Sequence, residues 1–146
     1  MRYYGYEEFV GDTKILIEKV KTFEPDTLLA IARGGLTLGH FMAEAMDARR
    51  LFALNSIHYN GDQKLDTCEV FNIPDLSDAV NVLIIDELID SGETMVEILR
   101  CLKEKYPKVT FKVATLFYKP AALMQPDFSV KEATEWLEFF WEADWK

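Results

Sequence analysis

Cysteine is scarce in this 146-residue chain, with only Cys68 and Cys101. Neither sits in a CxxC or Cys/His spacing of the kind that binds zinc, so both are expected to be ordinary thiols in a reducing compartment. No apolar run approaches the ~20 residues of a membrane span, and the opening MRYYGYEE lacks the basic and apolar regions of a secretory signal. The expectation is a cytoplasmic protein with no membrane partner. Positive charge is also short. The chain has 16 Lys and Arg against 25 Asp and Glu, a formal net charge of -9. Such a field repels phosphate backbones, so no nucleic-acid partner is expected, although local sites for small anions stay open.

What the chain has is apolar content, 49% of residues, enough for one compact domain spanning 1–146. Apolar positions between Tyr6 and Val20 recur at helical spacing. Thr27 to Ala32, Leu51 to Ile57, Val82 to Ile85 and the alternating Val109 to Phe117 read as strands. Helical patterns follow the first and third of these, and Tyr106-Pro107 closes the later helix. Strands separated by helices predict an α/β fold, a mainly parallel twisted sheet flanked by helices on both faces. The polar stretch from Ser56 to Cys68, with its Asn60-Gly61 turn signal, is expected to be a flexible loop or loose hairpin. The acidic, aromatic stretch from Phe128 to Lys146 reads as a small appended cap.

Ligands of an open α/β sheet bind outside the carboxyl ends of its strands, and two unusual segments lie there. The first is VLIIDELIDSGET, Val82 to Thr94. Its Ser91-Gly92-Glu93-Thr94 turn opens a helix, whose first N–H groups, with the Ser91 and Thr94 hydroxyls, suit a phosphate. Asp86 and Glu87 suit ribose hydroxyls and a hard cation such as Mg²⁺, which shares its oxygen ligands with substrate phosphates. Read without ligands, the same carboxylates are strand-end residues and Asp90 is a helix cap. The second segment is AIARGGLTLG, Ala30 to Gly39, where Arg33 offers charge and Gly34 and Gly35 permit an unusual backbone path.

An apolar strand followed by acidic-acidic-x-x-Asp-Ser/Thr-Gly-x-Thr resembles the phosphoribosyl pyrophosphate (PRPP) signature of the type I phosphoribosyltransferases. The resemblance runs from about the first strand to the last tryptophans. It implies the family's flexible active-site loop between 56 and 68, and a pyrophosphate site at Arg33, Gly34 and Gly35. It implies a PRPP site at Asp86, Glu87, Asp90, Ser91, Gly92, Glu93 and Thr94, with Mg²⁺ held by Asp86 and Glu87 partly through substrate. Asp90 is the implied catalytic group, handling the proton at purine N7. The segments FYKPAALMQPDF and EWLEFFWEADW are similar to the bacterial xanthine-guanine branch, where they frame a 6-oxopurine in a small purine-binding cap. In that reading Lys119 meets the 6-oxo oxygen, because an ammonium only donates. Trp136 stacks on the base, or else packs in the core, while the Leu137 backbone and Glu138 meet the 2-position. Trp141 and Trp145 are read as packing.

Three residues depart from the family pattern. Glu87 replaces an aspartate and Ser91 a threonine, both keeping charge or donor. Glu93 replaces a small residue, and its carboxylate would repel the 5-phosphate unless it points outward, while its N–H can still serve. The implied function is purine salvage: transfer of 5-phosphoribosyl from PRPP to guanine, xanthine or hypoxanthine with release of pyrophosphate, by a homodimer or homotetramer. Alternatives are a PRPP-sensing regulator, a protein-interaction module, and a transferase for adenine or orotate.

Overall fold

The computed structural model describes residues 1–59 and 67–145. In chain order the elements are β1 (Arg2–Tyr4), α1 (Tyr6–Val20), a 3₁₀ turn (Lys21–Phe23), β2 (Thr27–Ala32), α2 (Leu36–Ala45) and β3 (Leu51–Tyr59). Then come β4 (Thr67–Phe71), β5 (Asn81–Leu88), α3 (Glu93–Lys105), β6 (Thr110–Tyr118), β7 (Lys131–Glu132) and β8 (Leu137–Phe139). Six strands form one sheet in the order β4-β3-β2-β5-β6-β7, and β1 pairs with β8 in a separate two-stranded sheet. Every pairing is parallel except β3 with β4.

The unbroken apolar run in β5 follows from burial on both faces. Leu83 and Ile85 pack with Leu16 and Ile17 of α1 and Leu38 and Met42 of α2. Val82 and Ile84 pack with Met95, Ile98 and Leu102 of α3 on the opposite side. The α/β architecture expected from the sequence is the one observed.

Three expectations change in detail. First, the ends of the Ser56 to Cys68 stretch take the hairpin alternative rather than the loop, as regular strands: β3 and β4 pair antiparallel from Asn55–Phe71 to Tyr59–Thr67. Residues 60–66, with the expected Asn60-Gly61 turn and most of the active-site loop, lie outside the described residues. Second, β5 runs three residues past Ile85, so Asp86 and Glu87 are part of the strand.

Third, the C-terminal stretch is built into the fold. Strand β7 extends the main sheet beside β6, and β8 pairs with β1 at the other end of the chain. Leu137 and Phe139 are core residues, and the Trp141 ring stacks on Phe139 at 4.6 Å. A polar knot reinforces this closure. The Tyr4 hydroxyl donates to Asp12 at 2.8 Å, and Lys131 Nζ reaches Glu8 at 2.6 Å and Asp12 at 3.1 Å. Arg2 also pairs with Glu8, so β1, α1 and β7 are joined through one set of charges.

Candidate active site

The site begins with a mismatch in strand length. Strand β2 pairs with β5 only as far as Ala30–Ile85 and ends at Ala32, whereas β5 continues along β6 to Leu88–Phe117. Asp86 and Glu87 therefore lie beyond the last β2–β5 pair, and the turn Arg33–Gly35 lies against Glu87 and the Ile85 carbonyl. A Cβ on Gly34 would fall 1.6 Å from Glu87 Oε2, and one on Gly35 would fall 2.3 Å from the Ile85 carbonyl. The reason for these glycines differs from the expected one. Gly92 has the chain's one positive glycine φ among the described residues, and Gly35 has φ -84°. Gly34 and Gly35 serve close approach instead. The unusual peptide of the turn is Ala32–Arg33, which is cis.

The two carboxylates sit at the bottom of this approach. The Glu87 N–H donates to Asp86 Oδ1 at 2.9 Å. Burial, and then the charge of Glu87, hold the Asp86 carboxyl well above the usual carboxylate range. Burial also raises Glu87, with a further push from Glu142. Glu87 Oε2 is buried without a hydrogen-bond partner. An orphaned carboxylate oxygen beside a second carboxylate fits a hard divalent cation. No group of three or more His, Cys, Asp or Glu assembles among the described residues. Asp86 and Glu87 would thus be the protein's share of the ligands, with the rest supplied by bound phosphate and hydroxyl oxygens.

The second turn follows β5. Gly92 takes φ +88° and α3 begins at Glu93, whose N–H donates to Ser91 Oγ at 3.2 Å. That N–H, expected to serve a phosphate, is therefore already engaged by the residue two before it. The N–H groups of Thr94 and Met95 have no backbone acceptor among the described residues. The Glu93 side chain is exposed. Asp86, Leu88, Asp90, Ser91, Gly92 and Thr94 line a cavity of about 180 Å³.

Lys119 follows β6 and its Nζ donates to Asp90 Oδ1 at 2.6 Å. The loop beyond it is fastened to the second turn, since the Leu123 N–H donates to the Ser91 carbonyl at 2.8 Å. Trp136 is 75% exposed, which removes core packing as its role. The Arg2 N–H takes the Trp136 carbonyl at 2.8 Å. Because peptide groups alternate along a strand and β8 has one neighbour, those of Leu137 turn away from β1. The Leu137 side chain is buried, and Glu138 is half-buried.

The reading of both later tryptophans as packing holds only for Trp141. Trp145 is 88% exposed, and with Trp141 and Glu142 it borders a cavity of about 490 Å³ whose other walls include Arg33, Gly34 and Glu87. Glu142 was not anticipated. Its signal was present in EFFWEADW, where a purely buried cap has no use for interleaved carboxylates.

A family model described as "Phosphoribosyl transferase domain" matches residues 11–146. The chain belongs to the phosphoribosyltransferase family. This phosphoribosyltransferase is 33% identical to the Helicobacter pylori xanthine-guanine-hypoxanthine phosphoribosyltransferase, with 97% of this chain and 91% of that one covered at a TM-score of 0.87. It is 30% identical to the xanthine-guanine phosphoribosyltransferase of Ruegeria sp. (strain TM1040) over 153 residues, covering 94% of this chain and 83% of the relative. A purine phosphoribosyltransferase from Pyrococcus horikoshii superposes at a TM-score of 0.83 with 26% identity, covering 97% of this chain and 93% of that one. As in its sequence, no helix among the described residues of the phosphoribosyltransferase is long and apolar enough to cross a membrane.

Proposed function

We propose that this phosphoribosyltransferase serves purine salvage in the cytoplasm, moving 5-phosphoribosyl from PRPP to a 6-oxopurine and releasing pyrophosphate. The observation that carries the choice of acceptor is the Lys119–Asp90 contact of 2.6 Å at the phosphate turn. Atoms O6 and N7 are neighbours on one edge of a purine. An ammonium beside a carboxylate matches an O6 acceptor beside an N7–H, whereas the 6-amino group of adenine presents a donor to a donor. Both side chains are solvent-accessible, so a base can part them.

In this reading Ser91, Gly92 and Thr94 hold the 5-phosphate, through hydroxyls and the first free N–H groups of α3. Glu93 contributes only backbone shape there. Asp86 and Glu87 hold the ribose hydroxyls and favour the positive charge that grows on the sugar as its C1–O bond breaks. Arg33 offsets the charge of the departing pyrophosphate, with Gly34 and Gly35 bringing the backbone alongside. Asp90 accepts the N7 proton as the base's other nitrogen takes the ribosyl group. Trp136 covers the face of the base, and the Leu137 backbone and Glu138 meet its 2-position. Mg²⁺, when bound with substrate at Asp86 and Glu87, supplies charge neutralisation of the pyrophosphate. The exposed Tyr3 and Tyr6 support a homodimer or homotetramer, with aromatic surface to cover.

The test is nucleotide formation from PRPP and Mg²⁺ with guanine, xanthine, hypoxanthine, adenine and orotate. Turnover of 6-oxopurines, and at least 100-fold less with adenine, is expected from the polar mismatch at Lys119. Comparable turnover of adenine would sink the acceptor assignment.

A further inference from the structure

Asp12 is a carboxylate in an unlikely place. It lies on α1, which carries none of the site residues, and only 5% of it is exposed. Its two partners come from opposite ends of the chain. Tyr4 of β1 donates its hydroxyl at 2.8 Å, and Lys131 Nζ of β7 stands at 3.1 Å. Each partner adjoins a segment that meets the base in the proposed reaction. Tyr4 is in register with Phe139, so β1 sets the position of Leu137 and Glu138 on β8, and the Arg2 N–H holds the Trp136 carbonyl at 2.8 Å. On the other side Glu132, next to Lys131, pairs with Tyr118, and the Ala133 N–H donates to the Tyr118 carbonyl at 2.9 Å, one residue before Lys119. One buried carboxylate ties the strand end that carries Lys119 to the strand that carries the other base contacts.

The β1–β8 ribbon needs such a tie. It has two strands and three residue pairs, and a lone two-stranded ribbon is marginally stable at best. A slip of one residue would exchange the faces of buried Leu137 and half-buried Glu138 and reverse which peptide groups meet β1. Stability alone does not call for a charge here, since a buried ion pair is often no better than apolar residues of the same volume. Directional bonds, by contrast, favour a single register. We propose that Asp12 is a positioning residue for the acceptor base: by clamping Tyr4 and Lys131 it fixes the register of β8 and its separation from Lys119, and so sets the fit of the 6-oxopurine. The inference rests on the reading of Lys119 and Trp136 to Glu138 as the acceptor site.

Steady-state kinetics of the full chain with PRPP, Mg²⁺ and guanine, beside chemical denaturation of each protein, test it for wild type, Asp12→Asn, Tyr4→Phe and Asp26→Asn. Tyr4→Phe keeps the ring against Phe9, Phe117 and Phe139 and removes only the hydroxyl. Asp26 is the control, a carboxylate that accepts from the Val80 and Asn81 N–H groups at the opposite end of β5 from the site. A loss of folded protein lowers kcat and leaves KM alone, whereas a displaced base site raises the KM for the base. Asp12→Asn should raise the guanine KM about 10-fold and Tyr4→Phe about 3-fold, the scale of a charge-assisted hydrogen bond lost or weakened, with the KM for PRPP unchanged in both. Asp26→Asn should lose stability with both KM values unchanged. Should Asp12→Asn fail to fold, Tyr4→Phe carries the same comparison. A guanine KM that stays at the wild-type value in the folded clamp variants, or that rises equally in Asp26→Asn, would overturn the role of Asp12 alone. Wild type that forms no nucleotide from guanine, xanthine or hypoxanthine would overturn the acceptor assignment and the clamp with it.

Discussion

Two strand-to-helix turns stand at the same end of the sheet, and their glycines act for opposite reasons. At Arg33–Gly35 the backbone is ordinary in φ at the glycines and the neighbours are close: the carboxylate of Glu87 and the carbonyl of Ile85 occupy the space a side chain would need. At Ser91–Glu93 the backbone itself is unusual, with Gly92 at φ +88°, while its nearest neighbours stand at 3.0 Å or more. The glycines of the first turn answer to contact and that of the second to conformation. In the proposed reaction this difference has a use. A leaving group that departs needs a tight, charged seat against the strand carrying the carboxylates, whereas a phosphate that stays bound needs only N–H groups aimed at it.

The sharpest way to break the comparison is Gly35→Ala. Its Cβ would meet three backbone atoms, the Ile85 carbonyl at 2.3 Å and the Ile31 N and O at 3.0 Å, none of which can rotate away. Overpacking of this kind costs about 3 kcal/mol, and separation of β2 from β5 would follow. A denaturant midpoint close to wild type would show that this glycine does not answer to contact. Gly92→Ala should be milder. A left-handed conformation costs an alanine about 1–2 kcal/mol, and the added contact with the Leu123 N at 3.0 Å can relax by shifting an exposed loop. Equal losses in the two variants, measured by chemical denaturation under one condition, would erase the distinction between the turns.

Sequence patterning reveals β2, β3, β5 and β6 of the main sheet and the two glycine turns that follow β2 and β5, because each is local: an apolar run, a glycine, a helical repeat. It hides β1, since three residues have no period to detect and their partner lies more than 130 residues away in the chain. It also misjudges where β5 ends. The carboxylates break the apolar pattern, yet β6 still pairs with them, and hydrogen bonding rather than hydrophobicity carries the strand to Leu88. The purpose of Gly34 is invisible for a similar reason. A glycine records that a side chain is absent, and only the fold shows that Glu87 fills its place. Glu142 and Trp145 escape because their neighbour across the cavity is Arg33, more than 100 positions away.

The carboxylates give the smallest and most diagnostic prediction. Asp86 and Glu87 are raised by burial, while Asp90 is an exposed partner of Lys119. A carboxyl raised in the native state binds its proton there more tightly than in the unfolded chain. Stability is therefore lost as pH climbs from the ordinary carboxylate range, ~3.9 for aspartate, through the raised native value, and the full cost is present above it. In metal-free protein, Asp86→Asn removes that cost and keeps an oxygen to accept the Glu87 N–H. The variant should gain on the order of 1 kcal/mol at pH 8, with the gain shrinking toward pH 4.5 and transferase activity falling sharply. Asp90→Asn should also lose activity but leave the melting temperature unmoved at both pH values, because an exposed ion pair contributes little. A pH-independent difference for Asp86→Asn would mean that its carboxyl is not held under strain in the folded protein. A shrinking one would show that the strand end keeps a destabilising charge pair, as a site does when its ligands, rather than its neighbours, are meant to neutralise it.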